Sequence, residues 1–254
     1  MQIIAIANQK GGVGKTTTSH AMCAGLTEKG FKVLGIDLDP QGNFSTACGS
    51  VNFKVPTVYE LIKEEATAEE AIQHTASGFD MIPANIMLAG AEQELSQTGK
   101  EYRLKEALSS IAGNYDFIII DTPPSLGVLT VNAFTFASDI IIPTTAGIFA
   151  ATGIGQLAKT VKNVQKYCNQ NVKITGILFT RFNPRANISK QIKDLTEQVS
   201  EYISAPIYNT YVRSAVAVEE AQANKTDIFT YATKSTVADD YRTFIKEFLK
   251  GEKQ

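Results

Sequence analysis

Residues 8–17 read Asn-Gln-Lys-Gly-Gly-Val-Gly-Lys-Thr-Thr. An apolar run, Ile3 to Ala7, precedes them, and a helical pattern from Thr16 to about Glu28 follows. Strand, glycine loop and helix in that order form the setting in which backbone N–H groups and a helix N-terminus cradle phosphates. Gly14, Lys15 and Thr16 fit the end of the ordinary phosphate-loop pattern, whereas Gln9 stands where its first glycine belongs. An extra lysine, Lys10, comes next, followed by Gly11, Gly12 and Val13. A glycine loop alone is compatible with a tight turn, but the Gly-Lys-Thr-Thr ending between a strand and a helix points to phosphate.

Outward from this loop, short apolar runs alternate with longer helical patterns, which predicts a mostly parallel sheet with helices on both faces. Strands are expected at 3–7, 33–37, 79–82, 117–121, 140–143, 173–179 and briefly 206–208. Helices are expected near 16–28, 57–64, 68–74, 87–96, 102–112, 128–137, 154–167, 188–203 and 237–249. Thr67 and Glu70 have the spacing of a capping box. No repeat or linker interrupts the pattern, so one doubly wound α/β domain over 1–254 is the expectation. In such sheets ligands bind beyond the carboxyl ends of the strands, where the glycine loop falls.

Composition fits a compact enzyme: 254 residues, 44 % of them hydrophobic, can bury a full core. No apolar run approaches the ~18–20 residues that span a bilayer, and Met1 leads straight into a strand, so neither a membrane span nor a signal peptide is expected. Cys23, Cys48 and Cys168 are odd in number and widely spaced, as reduced cytosolic thiols would be. His20 and His74 lack spaced ligand partners and read as structural or surface residues.

Phosphoryl chemistry needs a phosphate cradle, a magnesium site and an oriented water. Lys15 would set a point charge against the β- and γ-oxygens, and the Thr16 hydroxyl would ligate Mg²⁺. Mg²⁺ keeps several waters, so a carboxylate such as Asp121, ending its strand toward the loop, suits an outer role. Asp37 and Asp39 are two apart, with Pro40 and Gly42 implying a turn; on residues alone they also read as turn-capping aspartates.

Lys-Gly-Gly-Val-Gly-Lys-Thr-Thr (10–17) resembles the deviant Walker A motif of the ParA/MinD group of P-loop ATPases. Val33 to Asn43 (VLGIDLDPQGN) is similar to the group's second acidic motif, and Phe117 to Pro124 (FIIIDTPP) to its Walker B strand and switch turn. The resemblance runs from Ile3 to about Leu249 and looks most like the chromosome- and plasmid-partitioning branch, ParA/Soj. It implies an ATPase using ATP and Mg²⁺, with residues Lys10 to Thr17 on the nucleotide. Asp39 would polarise the attacking water, and Asp37 would support the metal alongside Thr16 and Asp121. It further implies that Lys10 reaches across an ATP-sandwich homodimer; without the resemblance Lys10 reads as a solvated loop lysine. Asn209 and Tyr211 stand in the positions of the base-binding loop.

The net charge of −2 argues by itself against a nucleic-acid protein. Yet residues 140–193 contain no acid, while Lys159, Lys162, Lys166, Lys173, Arg181, Arg185, Lys190 and Lys193 fall there. Phosphate binding needs a local positive surface, although a charge run is also an ordinary solvated face. The resemblance assigns Arg185 and Arg213 to sequence-independent duplex DNA. It also implies a ParB-like adaptor that stimulates hydrolysis, and a cytoplasmic, nucleoid-associated protein. Three segments depart from the branch: 144–149, the base loop at 209–211, and Ser214-Ala-Val after Arg213.

Two other readings use the same sequence. A MinD-like membrane ATPase would end in an amphipathic helix, and Tyr241, Phe244, Ile245, Phe248 and Leu249 do form an apolar stripe at helical spacing; such a stripe also packs on a domain, and no membrane is expected. A cargo-positioning ATPase would share every motif. An iron–sulfur carrier is disfavoured by the cysteine spacing.

Overall fold

The computed structural model describes residues 1–49, 52, 54–95, 97–147, 150–185 and 187–251, with the side chains of 92, 93 and 187–193 left aside. In chain order the elements are β1 (Gln2–Ile6), α1 (Lys15–Thr27), β2 (Val33–Asp37), α2 (Asn43–Ala47), α3 (Val58–Ile62), α4 (Ala68–Ala71), β3 (Gln73–His74), β4 (Asp80–Ile82), α5 (Leu88–Glu94) and α6 (Arg103–Leu108). There follow β5 (Phe117–Asp121), α7 (Val128–Phe136), β6 (Asp139–Thr144), α8 (Ala150–Tyr167), β7 (Lys173–Phe179), α9 (Asn187–Ile203), α10 (Val216–Ala223), α11 (Ile228–Tyr231) and α12 (Thr236–Gly251).

The strands form one sheet in the order β3-β4-β2-β5-β1-β6-β7, parallel throughout except for β3. β1, β2 and β5 read as unbroken apolar runs because helices cover both faces. One apolar layer gathers side chains from α3 to α8, the other from α1, α2 and α10 to α12. The register pairs Ile6 with Asp121 and Asp37 with Asp121, which brings the ends of β1, β2 and β5 to one edge below the glycine loop.

The second layer explains the apolar stripe near the C-terminal end. Tyr241, Phe244, Ile245 and Phe248 are all buried, Tyr241 and Ile245 against α1, Phe244 against Tyr208 and Phe248 against Phe117. Gly25 helps: a Cβ there would lie 2.4 Å from Cδ1 of Ile245, so a larger residue would have to push the Ile245 side chain aside. Tyr241 also shares a 3.3 Å hydrogen bond with Thr18. The stripe is therefore core.

Elsewhere the expected pattern is corrected in detail. The helix expected over 68–74 keeps its capping box, with Thr67 N–H and Oγ1 both donating to Glu70, but ends at Ala71. Ile72 turns extended, and Gln73–His74 pair antiparallel with β4. The strand expected at 206–208 is a single bridge, Ile207 to Ile177. The short helices α2, α10 and α11 carry no sustained periodicity and were not anticipated. No described helix is long and apolar enough to cross a membrane.

Candidate nucleotide site

The loop after β1 ends in Gly14, which takes a left-handed conformation (φ 79°) as the first residue before α1. A residue with a Cβ is strained there. No side chain caps this helix and its first turn carries no acid, so its free N–H groups and positive dipole end face a cleft of about 580 Å3. Gly11, Gly12, Lys15, Thr16 and Thr17 line one end of the cleft, and Val212, Ala215 and Val218 supply apolar surface at the other. The arrangement fits a molecule with a phosphate chain and an apolar body.

Lys15 is buried, with its ammonium 3.4 Å from the carbonyl oxygen of Lys10. Burial lowers its pKa, against the opposing pull of Asp121 and Asp39. Thr16 Oγ1 donates to Asp121 at 2.7 Å, and Ser19 Oγ to the other oxygen of Asp121 at 3.0 Å. Across the sheet Asp37 accepts from the Ser45 N–H (2.8 Å), the Ser45 hydroxyl (2.7 Å) and the Asp39 N–H (3.1 Å). Asp39 stands at the cleft wall, accepting from the Gln41 N–H at 3.0 Å.

Asp37 and Asp121 are fully buried neighbours, and burial pushes both carboxyls up, to about 6 and about 8. Asp37 adds to the rise of Asp121, while Thr16, Lys15 and Ser19 oppose it. Two buried acids that resist ionisation together fit a nearby divalent cation. Among the described residues no group of three His, Cys, Asp or Glu could hold a metal directly. That donor set suits Mg²⁺ held by one hydroxyl and reached by carboxylates through its waters.

A stability measurement checks this. Between about pH 4 and about 8 the folded protein keeps a proton on Asp121 that the unfolded chain has lost, so stability should fall as pH rises across that window and level off above it. His20, lowered to about 4 by burial, acts with the opposite sign but only below its unfolded value near 6.5. From pH 7 to 8.5 the loss should be about 1 kcal/mol, or about 2–4 °C in Tm. Asp121→Asn should flatten this slope; an unchanged slope in that variant would show that another group carries it.

Several residues of the site escaped the sequence. Thr180, just past β7, donates to the Val13 carbonyl at 2.7 Å and lies under Gly14, so it fixes the loop from below. Asn8 braces the loop differently: its side-chain amide donates to the Pro143 carbonyl (2.8 Å) and its oxygen accepts from the Lys10 N–H (3.1 Å). Ser19 and Ser45 hold the two aspartates. Only Ser19, three residues after Thr16 on one helical face, left a readable trace.

Asn209 and Tyr211 are not brought to the cleft. They line a separate cavity of about 540 Å3 with Phe182 and Glu197. The reason is the extended backbone: Val212 pairs with Phe179 and Phe182, and side chains alternate, so Val212 faces the cleft and Tyr211 stacks 5.2 Å from Phe182 on the other side. Asn209 and Thr210 are both held by the carboxylate of Glu247.

Lys10 is exposed and does not line its own cleft; its ammonium lies beside Gly147. Arg185 is exposed on the loop after β7, with no described ion pair. Arg213 stands at the cleft and is clamped by Asp240, Nε to Oδ2 at 2.9 Å and Nη2 to Oδ1 at 2.6 Å. The side chains of Lys190 and Lys193 lie outside the described residues.

An uncapped helix behind a glycine loop, at the carboxyl edge of a parallel sheet, defines a P-loop nucleotide-binding protein. The AAA-domain family AAA_31 matches residues 1–174. The sporulation initiation inhibitor protein Soj of Bacillus subtilis is 42 % identical over 249 residues, covering 97 % of each chain. The chromosome partitioning protein ParA of Myxococcus xanthus is 37 % identical over 254 residues, 99 % of this chain and 89 % of that one. This chain belongs to the ParA/Soj family of partitioning ATPases. Among solved structures, cobyrinic acid a,c-diamide synthase from Mycobacterium smegmatis with bound ATP analog and magnesium superposes with a TM-score of 0.87 at 37 % identity. It covers 100 % of this chain and 96 % of that one; the synthase activity in its name is that protein's.

Proposed function

We propose that this chain, folded as one domain, is a Mg²⁺-dependent ATPase that dimerises around ATP, binds duplex DNA without sequence preference and partitions plasmid or chromosome DNA. The observation that carries the reading is the buried Asp37–Asp121 pair beneath an uncapped helix N-terminus. Lys10, Gly11, Gly12, Val13, Gly14, Lys15, Thr16 and Thr17 form the nucleotide loop, with Lys15 on the β- and γ-phosphates. Thr16 would hold Mg²⁺ directly, with Asp37 and Asp121 reaching its waters, and the ion would supply charge neutralisation at the phosphates. Asp39 orients water for attack on the γ-phosphate, giving ADP and phosphate. The base rests against Val212 and Ala215 in place of Asn209 and Tyr211.

DNA is held through phosphates. Arg185 is free to make such a contact, whereas Arg213 must exchange Asp240 for a phosphate. The protein acts on the nucleoid, and a ParB-like adaptor stimulates turnover. A MinD-like membrane role loses its best support, because the stripe that would lie on lipid is buried in the core.

The test is phosphate release with Mg²⁺ and with EDTA, run alongside anisotropy of unrelated labelled duplexes with ATP and with ADP. Slow release, abolished by EDTA, and DNA binding confined to ATP are the expected results. Release that ignores EDTA, or binding equal in both nucleotides, refutes the reading.

A further inference from the structure

Helix α8 runs for 18 residues in the chain between β6 and β7 and packs on α7 and α9. Its apolar positions Ile154, Leu157, Ala158, Val161 and Val164 are buried. Its opposite face is exposed and consists of Thr152, Gln156, Lys159, Lys162, Asn163 and Lys166. Spacings of three and four place the lysines in one row spanning about 10 Å at 1.5 Å per residue. None of the three has a carboxylate within ion-pair distance among the described residues. By contrast Arg103, Arg181, Arg213 and Arg242 are all paired. A paired cation must give up its partner to take a phosphate; these lysines need not.

Two exposed tyrosines border the row. The Lys162 ammonium lies 5.4 Å from the ring of Tyr202 on α9, and that of Lys166 lies 4.9 Å from the ring of Tyr167. Tyr202 is 74 % exposed and Tyr167 68 %, large apolar areas left open beside unpaired charge. Two of the acids of α9, Glu197 and Glu201, line the cavity that holds Tyr211. The face is polar and carries no Leu, Ile, Phe or Val to enter a bilayer, so it lacks what an interfacial helix needs.

We infer that the exposed face of α8, with Lys159, Lys162 and Lys166 flanked by Tyr167 and Tyr202, is a contact surface for duplex DNA, each lysine meeting a backbone phosphate. The inference rests on the DNA-binding reading above and adds to it a surface remote from the nucleotide cleft. Rigid helical spacing presents the charges together, and the tyrosines hold the ammonium groups in place. Contacts of this kind position the protein without reading bases.

The experiment is anisotropy of an unrelated duplex of about 30 base pairs, roughly three helical turns, titrated at several salt concentrations with a non-hydrolysed ATP analogue. It compares the parent with Lys159→Ala/Lys162→Ala/Lys166→Ala. The variant should lower the log–log salt slope by about 2–3 and weaken binding at 0.1 M salt by roughly 100-fold or more. Nucleotide affinity should be unchanged and the melting curve nearly so, because these side chains are exposed, form no ion pair among the described residues and lose only exposed contacts with tyrosine rings. A variant with the parent's slope and affinity overturns the surface while leaving DNA binding intact. A parent that never binds the duplex overturns both. Vesicles rich in anionic lipid should not be bound; lysine-dependent binding to them in place of the duplex assigns the face to membrane and also overturns it.

Discussion

Asp39→Ala should lower the rate of ATP hydrolysis by about 10²–10⁴-fold while leaving nucleotide affinity within a few-fold of the parent. Asp39 makes no hydrogen bond to the glycine loop among the described residues and acts on it only through the charge of Lys15. Its backbone N–H supports Asp37 and its carboxylate caps the Gln41 turn, at the wall of the cleft. Removing the side chain leaves the Asp37–Ser45 contacts and the Thr16–Asp121 contact in place. Binding of a fluorescent ATP analogue and phosphate release, measured on the same preparation, separate the two effects. A variant that loses binding together with turnover would mean that Asp39 shapes the nucleotide site itself.

The second large effect concerns self-association. Lys10→Ala should remain monomeric with ATP under conditions in which the parent, with hydrolysis blocked by Asp39→Ala, forms a dimer. Loss of a charge-assisted contact buried between subunits should weaken the dimer by about 30-fold or more. The geometry supports this: Lys15 lines the cleft with Gly11, Gly12 and Thr16, while Lys10 is exposed and absent from that lining. A second lysine there would meet like-charge cost from Lys15. Sedimentation with and without nucleotide decides the matter. Dimers that form irrespective of nucleotide and of Lys10 refute the sandwich.

The fold was legible where burial on both faces wrote long apolar runs into the chain, as in Phe117–Asp121 and Val33–Asp37. It was less legible where short elements depend on their neighbours. Gln73–His74 is a strand only because β4 offers an unpaired edge, and α10 has no period strong enough to announce itself. Of the motif residues, Lys15, Thr16 and Asp39 line one cleft, with Asp121 bonded to Thr16 and Asp37 to the Asp39 N–H buried behind them. Thr180 and Asn8 could not be anticipated, because each acts over more than a hundred residues of chain. Asn209 and Tyr211 were displaced by a period-two alternation that no local pattern revealed. Arg213 was legible as a cation but not as a partner of Asp240.

The packing of α12 on α1 has a consequence for biosynthesis. Thr18 and Tyr241, in contact in the finished protein, are 223 residues apart in the chain. At about 5–20 residues per second, the helix carrying Lys15 and Thr16 emerges about 11–45 s before the segment that shields its apolar back. During that interval the notch at Gly25, which Ile245 fills in the folded protein, lies open. The helix behind the glycine loop thus acquires this cover only after the 223 positions separating Thr18 from Tyr241 have been made.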